Sequence, residues 1–418
     1  MGYDTTLKQI NKLDSIATLQ TSPKIISEPS QIPEEFVING IRVTGNKNYT
    51  YGYIIEKLQI HLGKKISFDK FYRGIDRLSA TDNFTNIQHK IFLTTDGKLC
   101  NITVNVTENP IKTYFQLGLH YDDLYKTGVL LNVTSKHLLF DNDFISADVV
   151  VGEKPRYNIT YFVDNGFRLS VGLNTSLQQF DFSTDFIPTN TTLTPSINFT
   201  NLDFLSISNR IFLQAVYKDN FAVGVGMNHN YVNISSKNSL LTEGDDNVNY
   251  EKTNYLNACG FLKYDTFDDK TFPKTGLLFE AKASWYVYAS DFQKKFIPFL
   301  QGKVKFGYAH TIGNKFTTQI DSEAGISFEN NENPYLDFHL GGSNSNFTSN
   351  FTSFHGYPFA SIGNNSYLKT TLTLHHEIMK NHFVSGIANF SRAEKNVRPS
   401  SDENFATAAA LIRSTRRG

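Results

Sequence analysis

The sequence is short of cysteine, tryptophan and long apolar runs. Its 418 residues include only 2 Cys and 1 Trp. Cys100 and Cys259 lie far apart, which argues against a disulfide framework, and two cysteines alone do not make a metal site. The sequence contains no run of about 18 apolar residues, so it predicts no transmembrane helix. A transmembrane strand needs only about 9–11 residues, so a membrane β-barrel is not excluded.

The chain also lacks an excess of charge of either sign. It carries 40 Lys and Arg against 40 Asp and Glu, so nothing points to a nucleic-acid partner. The densest group of metal-ligating residue types consists of His375, His376, Glu377 and His382. In a strand, positions 375 and 377 share one face and position 376 points to the other, so the group divides. We therefore predict no nucleic-acid partner, no metal site and no cofactor.

The first quarter of the chain has helical and strand patterns in turn. Residues 1–20 predict a short amphipathic helix, and residues 21–35, rich in Pro and Ser, predict a linker. Residues 36–110 predict the order strand, helix, helix, strand, strand. Thr50 and Ser67 stand at N-cap positions before apolar helix faces, and Asp96-Gly97 is a hairpin signal. This order is typical of a small α+β domain with two helices on one face of a sheet.

From Thr113 onward the helical period is replaced by a period of two. In the stretch that begins at Leu277, Phe279 and Trp285 point one way, whereas Glu280 and Lys282 point the other. About fourteen such segments precede residue 397. Tight turns at 164–166 and 218–220 alternate with long polar loops at 179–198, 235–252 and 330–353. Residues 111–397 therefore predict an antiparallel transmembrane β-barrel with short turns at one rim and long loops at the other.

A barrel in lipid places its apolar face outside and its charges inside. We therefore expect six charged residues to face the lumen and to pair with one another: Glu280, Lys282, Lys303, Lys305, Asp321 and Glu323. A soluble β-rich binding protein would show the same alternation with its polar face in water, and it stays open as an alternative from another class.

One turn carries a family resemblance. Tyr264, Asp265, Thr266, Asp268, Pro273 and Gly276 stand in the stretch YDTFDDKTFPKTG. This stretch resembles the Y-x-D-T-x-D-x-x-x-F-P-x-x-G turn of the bacterial surface antigen superfamily of outer-membrane assembly and secretion barrels, except that here Tyr directly precedes Asp. Its closely spaced carboxylates fit side chains that bond backbone amides better than they fit a cation site.

The resemblance implies a fold and an arrangement of the lumen. It implies a barrel of sixteen strands in the bacterial outer membrane, preceded by a periplasmic POTRA domain at 36–110. His355, Gly356 and Tyr357 stand where such barrels keep an Arg-Gly-Phe/Tyr tip on a loop folded into the lumen. Because His355 replaces the Arg, the resemblance puts the usual interior ion pair in question.

A narrower resemblance concerns patatin-like phospholipases that carry a POTRA domain and a barrel behind the enzyme. Residues 120–139, followed by GEKPRYNITYFVDNGF at 152–167, resemble that barrel. Residues 1–20 resemble the last helix of the patatin domain. The G-x-S-x-G and D-G-[GA] motifs of a patatin dyad do not occur in these residues, so we predict no enzyme here. Residues 398–418 depart from the family, since they are polar, then Ala-rich and basic, with no strand pattern. We therefore expect an incomplete barrel followed by an atypical tail.

Three functions follow from these patterns. The first is the membrane anchor or translocation part of a patatin-like phospholipase, with outer-membrane lipid and a passenger or fused lipase domain as partners. The second is a stand-alone pore for outer-membrane protein assembly or secretion. The third is the soluble β-rich binding protein.

Overall fold

The computed structural model describes residues 9–18, 34–94, 99–122, 124–166, 168–184, 200–217, 220–236, 248–290, 296–313, 315–328, 334–342, 350–379, 382–394 and 403–414. Helix α1 spans Ile10–Thr18, and its apolar side chains Ile10, Leu13 and Ile16 are exposed. Residues 1–8 and 19–20 of the predicted helix and residues 21–33 of the predicted linker lie outside the described residues, and Glu35 already belongs to the first strand. Within the described part of the chain, no helix is both long and apolar enough to cross a bilayer.

An α+β unit follows, built largely as the sequence predicts. Its elements are β1 (Glu35–Thr44), α2 (Tyr51–Leu58), β2 (Lys65–Ser67), α3 (Phe68–Ala80), β3 (Phe84–Leu93) and β4 (Leu99–Glu108). The sheet order is β2-β1-β4-β3, with β1 parallel to β4. Thr50 and Ser67 cap α2 and α3, and each accepts a backbone N–H three residues on. The sequence analysis missed β2, and the Asp96-Gly97 turn lies outside the described residues.

The core of this unit lies between the helices and one face of the sheet. Phe71 and Leu78 of α3 are fully buried against Leu58 of α2 and Val104 of β4. Gly74 lets the two helices approach closely, because a Cβ there would lie 2.4 Å from the Leu58 carbonyl oxygen. A larger residue at this position would force the helices apart.

Fourteen antiparallel strands make one large sheet after this unit. They are β5 (Thr113–Asp122), β6 (Lys126–Lys136), β7 (Asp143–Gly152), β8 (Arg156–Val163), β9 (Ser170–Thr184), β10 (Thr200–Tyr217), β11 (Phe221–Ser236), β12 (Val248–Asp265), β13 (Gly276–Ala289), β14 (Phe299–Ile312), β15 (Phe316–Phe328), β19 (Ser366–Met379), β20 (His382–Glu394) and β21 (Glu403–Ser414). Neighbours in the sheet follow chain order from β5 to β21, apart from three short strands between β15 and β19: β16 (Phe338–Leu340), β17 (Phe351–Thr352) and β18 (Ile362–Asn364).

The two faces of the large sheet differ in the way that lipid requires. On one face, the side chains of Trp285 on β13 and Phe306 on β14 are 54% and 43% exposed. On the other face, Tyr286 on β13 and Gln301 on β14 are buried. Leu119, on β5, is 90% exposed. The inner face instead buries Ser, Asn, Gln and Thr side chains. A soluble protein would bury the apolar face, so the outer surface is built to contact hydrocarbon.

The strands end at two rims with different turns. The α+β unit meets one rim, which we call the near rim and which carries the described turns at 137–142 and 266–275. The opposite rim, the far rim, carries the turn at 153–155 and the described part of the connection from β15 to β19. Most of the long loops predicted at 179–198 and 235–252 lies outside the described residues.

The tail corrects one sequence-based expectation. Residues 398–418 showed no strand pattern, yet Glu403–Ser414 forms β21 and pairs with β20 from Ala393↔Glu403 to His382↔Ser414. Backbone N–H and C=O groups make this ladder, and they are present whatever the side chains are. The fourteenth strand of the sheet is therefore in the tail, and thirteen strands precede residue 397.

Candidate functional site

The connection between β15 and β19 folds back into the barrel and occupies part of the lumen. We call its described residues, 334–342 and 350–365, the inward segment. It contains a 3-10 turn at Pro334–Leu336 and the three-stranded sheet β17-β16-β18. Phe351 packs edge-on to Phe180 of β9 and Phe204 of β10, with ring centroids 6.1 and 5.8 Å apart. Tyr335 stacks on Tyr255 of β12 at 6.1 Å. The large sheet must therefore curve around this segment.

A charged cluster ties the inward segment to the barrel wall. Lys303 of β14 and Glu323 of β15 form an ion pair of 2.7 Å. The Thr352 hydroxyl of the inward segment donates to Glu323 Oε1 at 3.0 Å, and Lys303 Nζ donates to the same hydroxyl at 3.0 Å. The Tyr367 hydroxyl donates to Glu323 at 2.7 Å. One carboxylate thus holds a lysine, a tyrosine and the inward segment together.

The predicted tip of the inward loop lies against the last strand. Thr407 of β21 donates a hydrogen bond to the His355 carbonyl oxygen. Gly356 has φ +92°, and a Cβ there would lie 2.8 Å from Thr407 Cγ2, so both its conformation and its contact favour glycine. The Tyr357 carbonyl accepts from Gly342 N at 2.9 Å. The sequence places these three residues at the tip of the inward loop, and the side chain of the inward segment that reaches the Lys303–Glu323 pair is Thr352.

The six predicted lumen charges lie on the inner face, but they form few pairs with one another. Lys303 pairs with Glu323, as described above. Glu280 instead pairs with Lys263 of β12 at 2.9 Å. Asp321 accepts from the Gln319 amide at 2.7 Å. Lys305 lies opposite Glu280 and Glu323 in the strand register. Lys282 lies opposite Lys303, a like charge.

The predicted turn motif joins β12 to β13 at the near rim. Asp265 accepts from Phe267 N at 3.1 Å, and Asp268 accepts from the amides of residues 274 and 275 at 2.8 and 3.0 Å. Thr266 Oγ1 accepts from Leu277 N at 2.8 Å. Gly276 has φ +123°, Pro273 is buried and Tyr264 is on the outer face. These carboxylates fold the turn by bonding its amides.

The same turn reaches across the near rim to strands that are not its neighbours. Phe272 stacks on Phe383 of β20, with ring centroids 4.7 Å apart. Lys274 Nζ lies 2.6 Å from Glu377 of β19. Strands β14 and β15 separate β13 from β19 in the sheet. The turn therefore narrows the lumen at the near rim, as the inward segment narrows it from the far rim.

The α+β unit is docked on the near rim through contacts that sequence reasoning did not foresee. Asn142, buried in the β6–β7 turn, accepts from Thr50 N at 3.0 Å and donates to Thr50 Oγ1 at 3.1 Å, so the barrel helps to cap α2. Glu56 of α2 pairs with Arg168 at 3.1 Å. Lys136 at the end of β6 donates to Asn83 at 2.7 Å. The residue pattern within a single helix or strand does not predict these contacts, because the two residues of a contact are up to 112 positions apart.

A carboxylate on β4 shapes the loop that meets the barrel. Glu108 accepts from the backbone amides of Lys47, Asn48 and Tyr49 at 2.6, 2.8 and 3.1 Å. Burial alone would raise the pKa of Glu108, but these hydrogen bonds and one from the Asn48 side chain outweigh it and lower that pKa. The charged form of Glu108 is therefore the form that orders the loop leading into α2.

An apolar outer wall, a polar and partly filled lumen and a docked α+β unit define the class of protein: a transmembrane β-barrel with an N-terminal accessory domain. The sequence profile of the OMP85 superfamily matches residues 100–409, and the chain belongs to that superfamily. This membership indicates the bacterial outer membrane, and it overturns the soluble β-rich alternative.

Solved structures support the same fold. BamA from Haemophilus ducreyi lacking POTRA domains 1–3 is 10% identical, with a TM-score of 0.56 over 91% of this chain and 83% of that one. CdiB from Acinetobacter baumannii is 11% identical, with a TM-score of 0.56 over 92% of this chain and 68% of that one. CdiB from Escherichia coli is 11% identical, with a TM-score of 0.50 over 99% and 91%. No curated protein sequence gave a significant match.

Proposed function

We propose that this chain is a non-enzymatic barrel for protein secretion or protein assembly at the bacterial outer membrane. In this proposal the α+β unit is a periplasmic POTRA domain that receives an extended polypeptide, and the lumen is a passage that the inward segment restricts. The near rim then faces the periplasm, which agrees with its short turns. The fold it shares with BamA and CdiB supports the proposal at the level of architecture.

The observation that carries this function is the open edge of the small sheet. β3 is the end strand in the order β2-β1-β4-β3, and one of its edges has no strand partner in the part of the chain that the structure describes. An open edge binds an extended chain by adding it as a further strand. Asn83, directly before β3, accepts from Lys136 of the near rim. A polypeptide added to β3 would thus have one end at the mouth of the barrel.

A photo-crosslinking experiment tests this function. The full chain is reconstituted in liposomes and offered an unfolded eight-stranded outer-membrane protein or a long extended passenger, each as a purified probe. A crosslinker at Lys90, exposed on β3, should capture the probe that the barrel handles, and one at Arg73, exposed on α3, should not. Insertion of the first probe supports assembly, and passage of the second supports secretion. Capture at neither position, with no insertion or passage, would refute both.

The patatin-linked function is a second candidate. Its support is the resemblance of residues 1–20 and 120–139 to the helix and barrel behind a patatin domain, and α1 at Ile10–Thr18 agrees with a helix in the first of these. If the patatin-linked function holds, the barrel anchors or exports a lipase domain fused to its N-terminal side. Sequencing the reading frame upstream of Met1 tests it: an open frame with G-x-S-x-G and D-G-[GA] motifs would support the link, and an open frame without them would refute it.

A further inference from the structure

The lumen encloses a cavity that none of the functions above uses. It has a volume of about 360 Å³, and it lies between the inner faces of strands β9 to β14 and the inward segment. Tyr335, Leu336 and Asn350 of the inward segment form one wall. Cavities of ~300–1,000 Å³ are the size that small ligands occupy. The cavity is therefore large enough for a small molecule.

The charge around this cavity has one sign. Arg210, Lys282 and Lys303 line it, and none of the described lining residues is Asp or Glu. Lys282 and Lys303 are direct cross-strand partners on β13 and β14, an arrangement of like charges that destabilises a sheet. Glu323 neutralises Lys303 by an ion pair of 2.7 Å. Within the described chain, no carboxylate lies at ion-pair distance from the Lys282 ammonium.

Arg210 is held in a fixed position by a chain of amide groups. Its Nε donates to Asn228 Oδ1 at 2.7 Å, and Asn228 Nδ2 donates to Asn257 Oδ1 at 2.7 Å. Asn228 and Asn257 are buried, so this chain is shielded from bulk water. The bond to Asn228 uses one of the five N–H donors of a guanidinium. A guanidinium positioned in this way is suited to bind two oxygens of an oxyanion at once.

The remaining lining is rich in neutral hydrogen-bonding groups and in tyrosine. Ser206 and Ser284 are buried hydroxyls in the wall, and the rings of Tyr255 and Tyr286 stack on Tyr335 and Phe299. Amides and hydroxyls bind the hydroxyl groups of sugars and polyols. The wall thus combines a cationic side with a side suited to a polyhydroxylated molecule.

We propose that this lumenal cavity, lined by Arg210 and Lys282 beneath the inward segment, binds the phosphate or sulfate group of a small polyhydroxylated ligand. The oxyanion lies between the Lys282 ammonium and the Arg210 guanidinium and supplies the negative charge that the wall lacks. The hydroxyl groups of the ligand face the amides and the serine hydroxyls of the wall. Bound ligand also removes the repulsion between Lys282 and Lys303, so it stabilises the barrel.

The proposal is tested by thermal unfolding of the purified full chain in detergent, with sodium phosphate, a sugar phosphate, the neutral sugar or sodium chloride at matched ionic strength. Phosphate should raise the Tm saturably, the sugar phosphate should do so at lower concentration, and the neutral sugar and chloride should not. Lys282→Gln should weaken phosphate binding by about tenfold or more, because it removes a charged hydrogen-bond donor. Lys282→Arg should retain binding.

Lys305→Gln is the matched control, since Lys305 is an inner-face lysine of β14 that does not line the cavity. It should leave phosphate affinity unchanged.

Without phosphate, Lys282→Met should raise the Tm, because it removes the like-charge pair. Where Lys282 variants fail to fold, Arg210→Gln takes their place with the same expected loss of affinity. The proposal is overturned by a Tm that chloride raises as much as phosphate does, or by equal phosphate affinity in Lys282→Gln and the wild type.

Discussion

Replacing Glu323 by Gln should loosen the inward segment without unfolding the barrel. The glutamine keeps an acceptor but loses the charge that now binds Lys303, Thr352 and Tyr367. Among the described residues, the Thr352 bond connects this carboxylate to the inward segment. A hydrogen bond to a charged group contributes about 1.5–3 kcal/mol and one between neutral groups about 0.5–1.5 kcal/mol, so the glutamine should weaken this bond by about 1–1.5 kcal/mol. Because ~1.4 kcal/mol is a factor of ten, the undocked population should rise about 5- to 10-fold.

Aromatic packing sets the upper limit of this effect. Phe351 keeps its ring contacts with Phe180 and Phe204 in the variant, so the segment should remain mostly docked. Truncating a buried Phe to Ala typically costs about 3–5 kcal/mol. We therefore expect Phe351→Ala to undock the segment more completely than Glu323→Gln does.

The assay is the maleimide labelling rate of a cysteine placed at Ser353, which lies in the inward segment beside Thr352. The two native cysteines are buried. When opening is fast relative to labelling, the rate reports the open population. Glu323→Gln should raise the rate about 5- to 10-fold. Glu280→Gln is the control, since it removes an inner-face carboxylate whose partner is Lys263. Equal labelling rates in wild type and Glu323→Gln, with a lowered Tm, would refute the anchoring role of Glu323.

Three further predictions concern the wall, the docked unit and pH. Trp285, the single Trp, is on the outer face, so its fluorescence in liposomes should be quenched by lipids brominated on their acyl chains and not by aqueous iodide. Asn142→Ala should destabilise the docked unit by about 1–3 kcal/mol, measured as faster amide exchange at the start of α2, because it removes two hydrogen bonds to Thr50 that each contribute about 0.5–1.5 kcal/mol. The pKa of Glu108 is lower in the folded protein than in the unfolded chain. The stability that the charged Glu108 side chain contributes is therefore complete above the ordinary glutamate pKa, and it is lost as pH falls through the pKa that Glu108 has in the folded protein. Glu108→Gln should remove that part of the acid dependence of Tm.

Each of these predictions has a matched comparison. A Tyr286→Trp reporter in a Trp285→Phe chain points into the packed lumen and should lose the quenching by brominated lipids; equal quenching of the two reporters would contradict the two-faced wall. Arg168→Gln, which removes a side chain 71% exposed, should cost no more than about 1 kcal/mol, so an effect larger than that of Asn142→Ala would be inconsistent with the docking geometry. An acid transition that is the same in wild type and Glu108→Gln would rule out the Glu108 assignment.

Local patterns were sufficient to predict much of the fold. Thr50 and Ser67 fix the helix starts because an N-cap acts through hydrogen bonds to residues two or three positions away. The faces of β13 follow from alternation as far as Tyr286, because a strand places every second side chain on the same face. A register shift beyond it leaves both Val287 and Tyr288 exposed. The six lumen charges could be assigned to a face in the same way, but their partners could not. Pairing depends on register and on diagonal reach between strands, as in Lys303 with Glu323.

The tail and the inward segment show where this reasoning stops. The Ala-rich stretch from Glu403 to Ser414 has little amphipathic signal, and it becomes a strand because β20 offers it a backbone ladder. The Asn142–Thr50 contact and the Thr352–Glu323 contact join residues 92 and 29 positions apart. No local sequence pattern predicts either of these two contacts.

The sequence by itself determined that most strands of the large sheet have one apolar and one polar face, and which residues belong to each. That information is local, because it depends only on the two-residue period of an extended backbone. The tertiary structure alone decided what the polar face encloses: an inward segment held by Glu323, a docked α+β unit held by Asn142, and a cavity where Lys282 has no carboxylate partner among the described residues. These features arise only when the sheet curves and brings distant residues into contact across the lumen.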